Sequence, residues 1–159
     1  MSATLPNLHV LAQWQKGKSY STSYRPIPLL QMVKIGSTLY NEDFSVIRDL
    51  HSSEIKIKDD GEHLIQLCLE TVLEGYSVLI FCPAKAWCEK VSLNIASSFY
   101  SIGKNNSGYP ENIVQSLRNR LNEKDLNRII EALRASPAGL DSVLERSLSF
   151  GAAFHHAGK

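Results

Sequence analysis

The stretch "VLIFCPAKAWCEK", residues 78–90, decides the fold. An unbroken apolar run ends at Cys82, Pro83 interrupts it, and helical spacing of apolar residues begins a few positions later. A short continuous apolar run of this kind is typical of a strand that is buried on both faces. Residues 78–82 are therefore predicted to form a buried strand, followed by a helix over about residues 84–100.

The segment before this run predicts a helix that ends where the strand begins. Asp59 and Glu62 have the spacing of a capping box, in which two side chains satisfy the first free N–H groups of a helix. Apolar residues then recur with helical spacing, and Gly75 stands where a glycine commonly ends a helix. Helix, buried strand and helix in this order predict an α/β fold with a parallel sheet.

The flanking regions extend this expected architecture. Residues 7–15 show helical spacing, whereas Pro26 and Pro28 favour extended chain with a hairpin around Gly36. Beyond the central helix, the pattern predicts two amphipathic helices, a short third helix, and another buried strand in residues 151–158. Neither end of the chain closes an element, so we expect it to be a piece of a longer protein.

The composition is that of an ordinary globular protein and excludes some classes of function. The chain has 159 residues, 43% of them apolar, with 17 basic and 16 acidic residues. A strongly basic DNA-binding domain would show a clear excess or stripe of positive charge. No apolar run approaches the roughly 18 residues of a spanning helix, and no signal-peptide pattern is present. Three cysteines, an odd number, favour reduced thiols. We therefore expect a soluble, intracellular protein with no membrane partner.

The junction after Cys82 is a candidate binding site. Ligands of parallel α/β sheets collect where strands end and helix N-termini present free N–H groups. Lys85 falls in the first helical turn, where the helix dipole disfavours a cation unless an anion such as a phosphate lies near. The alternative is that Lys85 is a solvated surface residue, as lysines in exposed turns often are.

Cysteines and histidines near the expected strand ends allow other chemistry. Cys82 at a helix N-terminus would be a nucleophile if His155 or His156 served as its base. The same three residues with Cys88 would alternatively form a zinc site, although the cysteines are widely spaced. Core packing is the ordinary role of each of these residue types. Because neighbours on a strand point to opposite faces, one histidine is expected to be buried and the other exposed.

Four stretches, in order along the chain, resemble the motifs of superfamily 2 helicases. "SAT" at residues 2–4 resembles motif III, and "YRPIPL" at 24–29 resembles the crossing between the two RecA-like lobes. Residues 78–89 resemble motif IV, and "FGAAFHHAG" at 150–158 resembles the His-His-Ala-Gly segment that precedes motif V. Within this superfamily the chain resembles the polymerase theta type of DNA helicase, with the HELQ type as the nearest alternative.

This resemblance implies roles for individual residues. Motif III couples the nucleotide state to movement of the lobes, and the later motifs line the single-strand channel. The coupling positions would be Ser2, Ala3 and Thr4. The DNA-binding positions would be Cys82, Pro83, Lys85, His155, His156 and Gly158, with Ala157 in the same segment. Pro-Ala-Lys-Ala stands where relatives commonly show Pro-Ser-Lys-Lys, so a hydroxyl and a basic side chain are missing. Lys159 stands where a leucine is usual.

The implied architecture is an incomplete RecA-like parallel sheet flanked by helices. Residues 1–24 would end the first helicase lobe, 25–58 would connect the lobes, and 59–159 would begin the second lobe. The intact protein would bind ATP, Mg²⁺ and single-stranded DNA and would act in DNA repair in the nucleus. Its partners would include the remainder of the two lobes.

The chain lacks the sequence motifs that ATP hydrolysis requires. It contains no G-x-x-x-x-G-K-[ST] loop, no Asp-Glu-x-His segment and no arginine-rich motif VI. Hydrolysis needs the phosphate loop, the metal and the arginine together, so we expect this chain alone to be inactive and without a cofactor. A non-catalytic fragment that binds DNA or a protein partner is the alternative from another class.

Overall fold

The computed structural model describes residues 5–53, 55–104, 108–137 and 139–156. Its helices and strands confirm an α/β protein. In chain order, they are α1 Leu8–Trp14, β1 Met32–Ile35, β2 Thr38–Asn41, β3 Val46–Asp49, α2 Leu64–Leu73, α3 Lys85–Gly103, α4 Glu111–Arg120, α5 Glu123–Arg134 and α6 Ser142–Leu148. The chain divides into two compact units, residues 1–32 and 33–159. Within the described residues, no helix combines the length and apolarity needed to cross a bilayer.

The first unit contains α1, which confirms the helix predicted near the N-terminus. α1 begins after Asn7, whose side chain makes no capping hydrogen bond. None of its residues is buried, and Trp14 is 78% exposed. A helix of 7 residues is marginal in water by itself. The apolar side chains of Leu11 and Trp14 are therefore exposed on this helix.

The second unit opens with a three-stranded sheet in the order β1–β2–β3. Gly36, with φ of +60°, occupies the turn between β1 and β2, which confirms the predicted hairpin. β3 was not predicted; it pairs antiparallel with β2, and the register shifts between Leu39 and Tyr40. Leu39 is buried, whereas Val46 of β3 is 65% exposed. Leu39 is thus the buried residue of a sheet whose other side chains are exposed or partly exposed.

Helices α2, α3 and α4 build the main core of the second unit. Its buried cluster consists of Cys68, Leu69, Ile95, Phe99, Ile102 and Leu117. Ile95 and Phe99 of α3 are buried. Ile129 of α5 is 46% exposed and lies outside this cluster. Full burial of a large aliphatic or aromatic side chain contributes about 1.5–3 kcal/mol. This cluster therefore fixes the helices that carry the candidate site.

The capping box predicted at Asp59 and Glu62 is wrong. α2 begins at Leu64, and its N-cap residue, His63, has a left-handed backbone and makes no side-chain cap. Asp59 also has positive φ, of 62°, so the chain turns before the helix starts. Because of this turn, it is the carboxylate of Asp60 that accepts a hydrogen bond from the Gln66 N–H, at 2.8 Å.

The predicted end of α2 at Gly75 is confirmed. Gly75 has φ of +97°, and its N–H donates to the carbonyl of Val72 at 3.0 Å. The N–H of Tyr76 closes the same turn onto Thr71 at 3.1 Å. Arg120 donates to the Leu73 carbonyl at 3.2 Å. Two sets of hydrogen bonds, those of the Gly75 turn and that from Arg120, therefore hold the C-terminal end of α2.

The two buried strands predicted for residues 78–82 and 151–158 require correction. Residues 78–82 form no strand, and Leu79 and Phe81 are 79% and 89% exposed while Ile80 packs against the core. No backbone group of residues 77–83 hydrogen-bonds another backbone group in the described part of the chain. An apolar run is buried on both faces only when neighbouring strands and a second layer cover it, and one face here has neither.

Residues 151–156 have the same character. Ala152, Phe154 and His156 are partly buried, and the residues between them are exposed, so burial alternates as along a strand. They form no strand, since Gly151 is a turn residue with φ of +78° and the N–H groups of Gly151 and Ala152 donate to the end of α6. Residues 157 and 158 of the predicted strand lie outside the described ranges. The parallel sheet expected from the sequence is therefore not confirmed.

Candidate nucleic-acid interface

The N-terminus of α3 has a positive electrostatic character. The helix begins at Lys85, as predicted, and the preceding Ala84 is extended and provides no side-chain cap. The first turn contains no acidic residue. Free N–H groups carry partial positive charge at this end of a helix, and Lys85 adds a full charge. The free N–H groups and the Lys85 ammonium group would both stabilise an anion near this turn.

The two adjacent histidines differ in exposure, as the alternation predicted. His155 is exposed, whereas the side chain of His156 is 17% exposed. Nε2 of His156 lies 3.0 Å from Oε1 of Glu89, and the ring stacks on Phe154 with centroids 5.5 Å apart. His156 is thus held against α3. His155 is the histidine whose ring is available to a ligand.

A thiol contact fixes the backbone beside these histidines. Sγ of Cys88 lies 3.8 Å from the carbonyl oxygen of His155. Cys88 and Glu89 follow Lys85 by three and four positions, so all three share one face of α3. Residues 155 and 156 are therefore attached to the helical face that carries Lys85.

A cavity of about 1070 Å³ lies between these elements. Its walls are residues 75–84, the first turns of α3, residues 151–156 and the region around 120–126. The basic side chains at the wall are Lys85 and Arg120, beside His155 and His156. Apolar residues of α2 and α3, including Ile95 and Phe99, line the rest. Such a surface suits a ligand with both anionic groups and apolar faces.

The sequence-predicted residues Cys82, Pro83, Lys85, His155 and His156 all line this cavity. The structure therefore brings together the turn after residues 78–82 and residues 155 and 156, which are about seventy positions apart in the sequence. Ser2, Ala3, Thr4, Ala157 and Gly158, the other assigned positions, lie outside the described residues.

The thiols do not favour the enzymatic alternatives. Desolvation and the neighbouring Cys88 raise the pKa of Cys82, which lowers the fraction of nucleophilic thiolate. Burial raises the pKa of Cys68 to about 11. Among the described residues, no three His, Cys, Asp or Glu side chains are grouped so as to hold a metal ion. The side chains of Cys82, Cys88, His155 and His156 are thus not grouped as a zinc site requires.

Sequence reasoning missed Glu89 and Arg120. Glu89 contacts His156, which is 67 positions away in the sequence, so no local pattern of residues predicts this contact. Arg120 lines the cavity and donates a hydrogen bond to the Leu73 carbonyl of α2. Because this contact joins two helices that are far apart in the sequence, no local pattern predicts it. Phe81 was expected in the core and instead stands 89% exposed at the cavity wall.

The chain is similar to segments of much longer proteins. No protein-family model matches it. Mouse DNA polymerase theta is 43% identical over 161 residues, which cover 99% of this chain and 6% of that protein. The human protein named helicase POLQ-like is 32% identical, over 99% of the chain and 14% of the relative. ATP-dependent DNA helicase Hel308 of Caldivirga maquilingensis is 24% identical, over 99% of the chain and 18% of the relative. The resemblance to helicases of the polymerase theta type is thus confirmed along nearly the whole chain, which spans less than a fifth of each relative.

Proposed function

We propose that this chain, similar throughout to a segment of DNA polymerase theta and related helicases, contributes a single-strand-DNA-binding face to an ATP-dependent DNA helicase. The observation that carries the proposal is Lys85, which begins α3 and shares one cavity wall with His155. A phosphate at this wall would gain the lysine charge and the free N–H groups of the helix end. Phosphate contacts carry no sequence information, which suits a protein that tracks along a strand.

Phe81 adds a second kind of contact to the proposal. Aromatic side chains on single-strand-binding surfaces stack with bases of any identity. The ring of Phe81 is 89% exposed and belongs to the same cavity wall as Lys85. One wall would then offer an apolar platform for bases next to a cation for the backbone.

In the intact helicase, residues 78–82 and 151–156 would belong to a RecA-like parallel sheet. Ile80 and Ala152 pack against the core, whereas Leu79 and Phe81 are exposed, and no backbone group of residues 78–82 hydrogen-bonds another backbone group within the described residues. Other parts of the longer protein would supply the neighbouring strands. Residues 1–24 would close the first lobe, 25–58 would connect the lobes, and 59–159 would start the second.

ATP and Mg²⁺ would be held by parts of the helicase beyond this segment. The sequence has no phosphate loop, and the described residues include no cluster of metal ligands. The side chains present here do not fit either group, and no hydrolytic step is assigned to them. The isolated chain is expected to turn over no ATP, with or without single-stranded DNA.

For the intact protein we propose a role in DNA repair in the nucleus, by similarity to DNA polymerase theta. A helicase of the POLQ-like kind is the second candidate, because the human protein of that name is 32% identical over 99% of the chain. Binding of single strands is common to both candidates.

The experiment is a fluorescence anisotropy titration of the chain with two labelled single strands of unrelated sequence. We expect similar affinity for both strands, and His155→Ala should weaken binding to both by the same factor. His9→Ala is the matched control, since His9 is also exposed but lies in the first unit. Absence of binding, a strong preference for one sequence, or equal losses in the two variants would contradict the proposal.

A further inference from the structure

We propose that Ser136 is a phosphorylation site for a proline-directed serine/threonine protein kinase. Pro137 follows Ser136 directly, and no other serine or threonine of the sequence precedes a proline. The pair lies in the connection between α5 and α6, just after Ala135, the C-cap residue of α5. Pro137 is exposed and Ser136 is partly exposed, so the residue that reacts and the residue that a kinase recognises both lie at the surface.

Local hydrogen bonds hold the turn that contains Ser136. Its N–H donates to the Leu133 carbonyl at 3.1 Å, and its hydroxyl donates to the same oxygen at 2.7 Å. The N–H of Gly139 donates to the Ser136 carbonyl at 3.0 Å. Pro137 has no N–H, so it adds no hydrogen bond to the end of the helix. Neither Ser136 nor Pro137 belongs to the main core cluster, so this turn can open to a kinase without exposing that cluster.

The reaction balances with a nucleoside triphosphate that the kinase supplies. Oγ of Ser136 attacks the γ-phosphorus, and a new P–O bond forms. The bond from this phosphorus to the oxygen that bridges it to the β-phosphorus breaks, and the nucleoside diphosphate leaves. The hydroxyl proton passes to a base of the kinase.

The phosphate would change the end of α5. The Ser136 hydroxyl donates to the Leu133 carbonyl, whereas a fully ionised phosphate has no hydrogen to donate. The last carbonyl groups of a helix carry partial negative charge, and phosphoserine brings a charge of about −1.5 to −2 at neutral pH. Repulsion should therefore turn the phosphate away from Leu133.

Arg134 is the cation nearest in sequence to this phosphate. It lies two positions before Ser136, and its guanidinium forms an ion pair with Glu145 of α6. The two side chains are 58% and 36% exposed, so water weakens the pair. A phosphate carries more charge than a carboxylate and accepts two parallel hydrogen bonds from one guanidinium. We expect phosphoserine to draw Arg134 away from Glu145 and thereby weaken the contact between α5 and α6.

The first experiment incubates the 159-residue chain with a mitogen-activated protein kinase and ATP, and peptide masses locate the phosphate. We expect one phosphate, on Ser136. Pro137→Ala should abolish its incorporation although the chain keeps its circular dichroism spectrum, because the turn remains while the recognition element is lost. Ser142→Ala is the matched control, since Ser142 is an exposed serine at the start of α6 with no proline after it, and this variant should be phosphorylated like the parent chain.

The second experiment follows the phosphorus NMR shift of the phosphorylated chain against pH. The second pKa of phosphoserine is ordinarily about 6, and a guanidinium beside the dianion lowers this pKa. The second pKa should therefore be higher in phosphorylated Arg134→Gln than in the phosphorylated parent. Absence of phosphate from Ser136, or modification of Pro137→Ala at the rate of the parent, would overturn the proposed site. Equal pKa values would overturn the contact with Arg134. Neither experiment involves DNA, so both are independent of the proposed function.

Discussion

Glu89 holds the ring of His156 against α3: Oε1 of the glutamate lies 3.0 Å from Nε2 of the histidine. The other ring nitrogen, Nδ1, is buried and has no hydrogen-bond partner in the described part of the chain. This pair and the contact from Cys88 to His155 join the histidine segment to the helix that carries Lys85. The geometry of the cavity wall therefore depends on a pair of side chains far apart in sequence.

Glu89→Ala should lower the free energy of unfolding by about 0.5–1 kcal/mol, because the buried ring loses its hydrogen-bond partner. The loss is modest since the Glu89 side chain is 42% exposed, so water replaces part of the contact. Glu89→Gln keeps an oxygen that accepts from Nε2 and should lose less. Urea unfolding measures both variants. Equal losses would mean that the hydrogen bond to His156 contributes little.

Gly75→Ala should destabilise the protein more than Gly36→Ala does. Both glycines have positive φ, +97° and +60°, so each alanine is strained, at about 1 kcal/mol. At Gly75 the added Cβ would also lie 2.8 Å from Nη2 of Arg120, whereas nothing lies within 4 Å of it at Gly36. Arg120 must then shift away from the Leu73 carbonyl. Urea unfolding of the two variants tests this, and identical losses would contradict it.

Glu70 should make stability fall at acid pH. Burial raises the pKa of this carboxyl, but hydrogen bonds from Arg48, Gln66 and Ser53 outweigh burial and lower the pKa below 4.5. A lowered folded-state pKa stabilises the fold above the unfolded pKa, and this contribution is lost as pH falls through the folded pKa. Unfolding measured from neutral pH down to about pH 3 should therefore show a flatter profile for Glu70→Gln than for the parent chain.

Glu62→Gln is the control for this pH dependence. Its side chain is 92% exposed and its ion pair with Lys34 spans 3.5 Å, so water screens it. The profile of Glu62→Gln should keep the slope of the parent chain. A Glu70→Gln profile as steep as the parent's would show that other carboxyls produce the acid loss.

The exposed apolar residues 79 and 81 should promote aggregation. Leu79→Ser and Phe81→Ser remove side chains that are 79% and 89% exposed, so they should cost little stability. They should reduce binding of a hydrophobic dye and light scattering on warming, because the apolar patch becomes smaller. Ile80→Ser is the contrast, since Ile80 packs on the core and its loss should lower the melting temperature. Unchanged dye binding in the first two variants would contradict this account of the surface.

The sequence predicts the helices well because the spacing of apolar residues and the residues that end a helix are local features of the chain. Helical spacing placed α3 within a few residues, and Gly75 marked the end of α2 because the required positive φ is a property of that residue. The strand prediction for residues 78–82 failed because burial of an apolar run depends on what lies beside it, which local sequence does not contain. The capping box failed because the chain turns at Asp59 and the helix begins only at Leu64, so that Asp60 and not Asp59 accepts from the Gln66 N–H.

The candidate site was predictable in part, for a similar reason. Lys85 and the histidine pair belong to short motifs, so their residue types carry a signal. Glu89 has no motif of its own, and its role arises only when the fold brings it within 3.0 Å of His156.

The salt dependence of single-strand binding by Lys85→Ala tests the central claim most directly. Each lysine contact with a phosphate releases counterions, so the loss of one contact should make the slope of log K against log salt shallower by about 0.7. Affinity should fall by about the same factor for unrelated strands. Lys90→Ala is the matched control, because Lys90 is an exposed lysine of the same helix that does not line the cavity; its slope should equal that of the parent chain. An unchanged slope and affinity for Lys85→Ala, or the same change in both variants, would contradict the assignment of this cavity wall to single-stranded DNA.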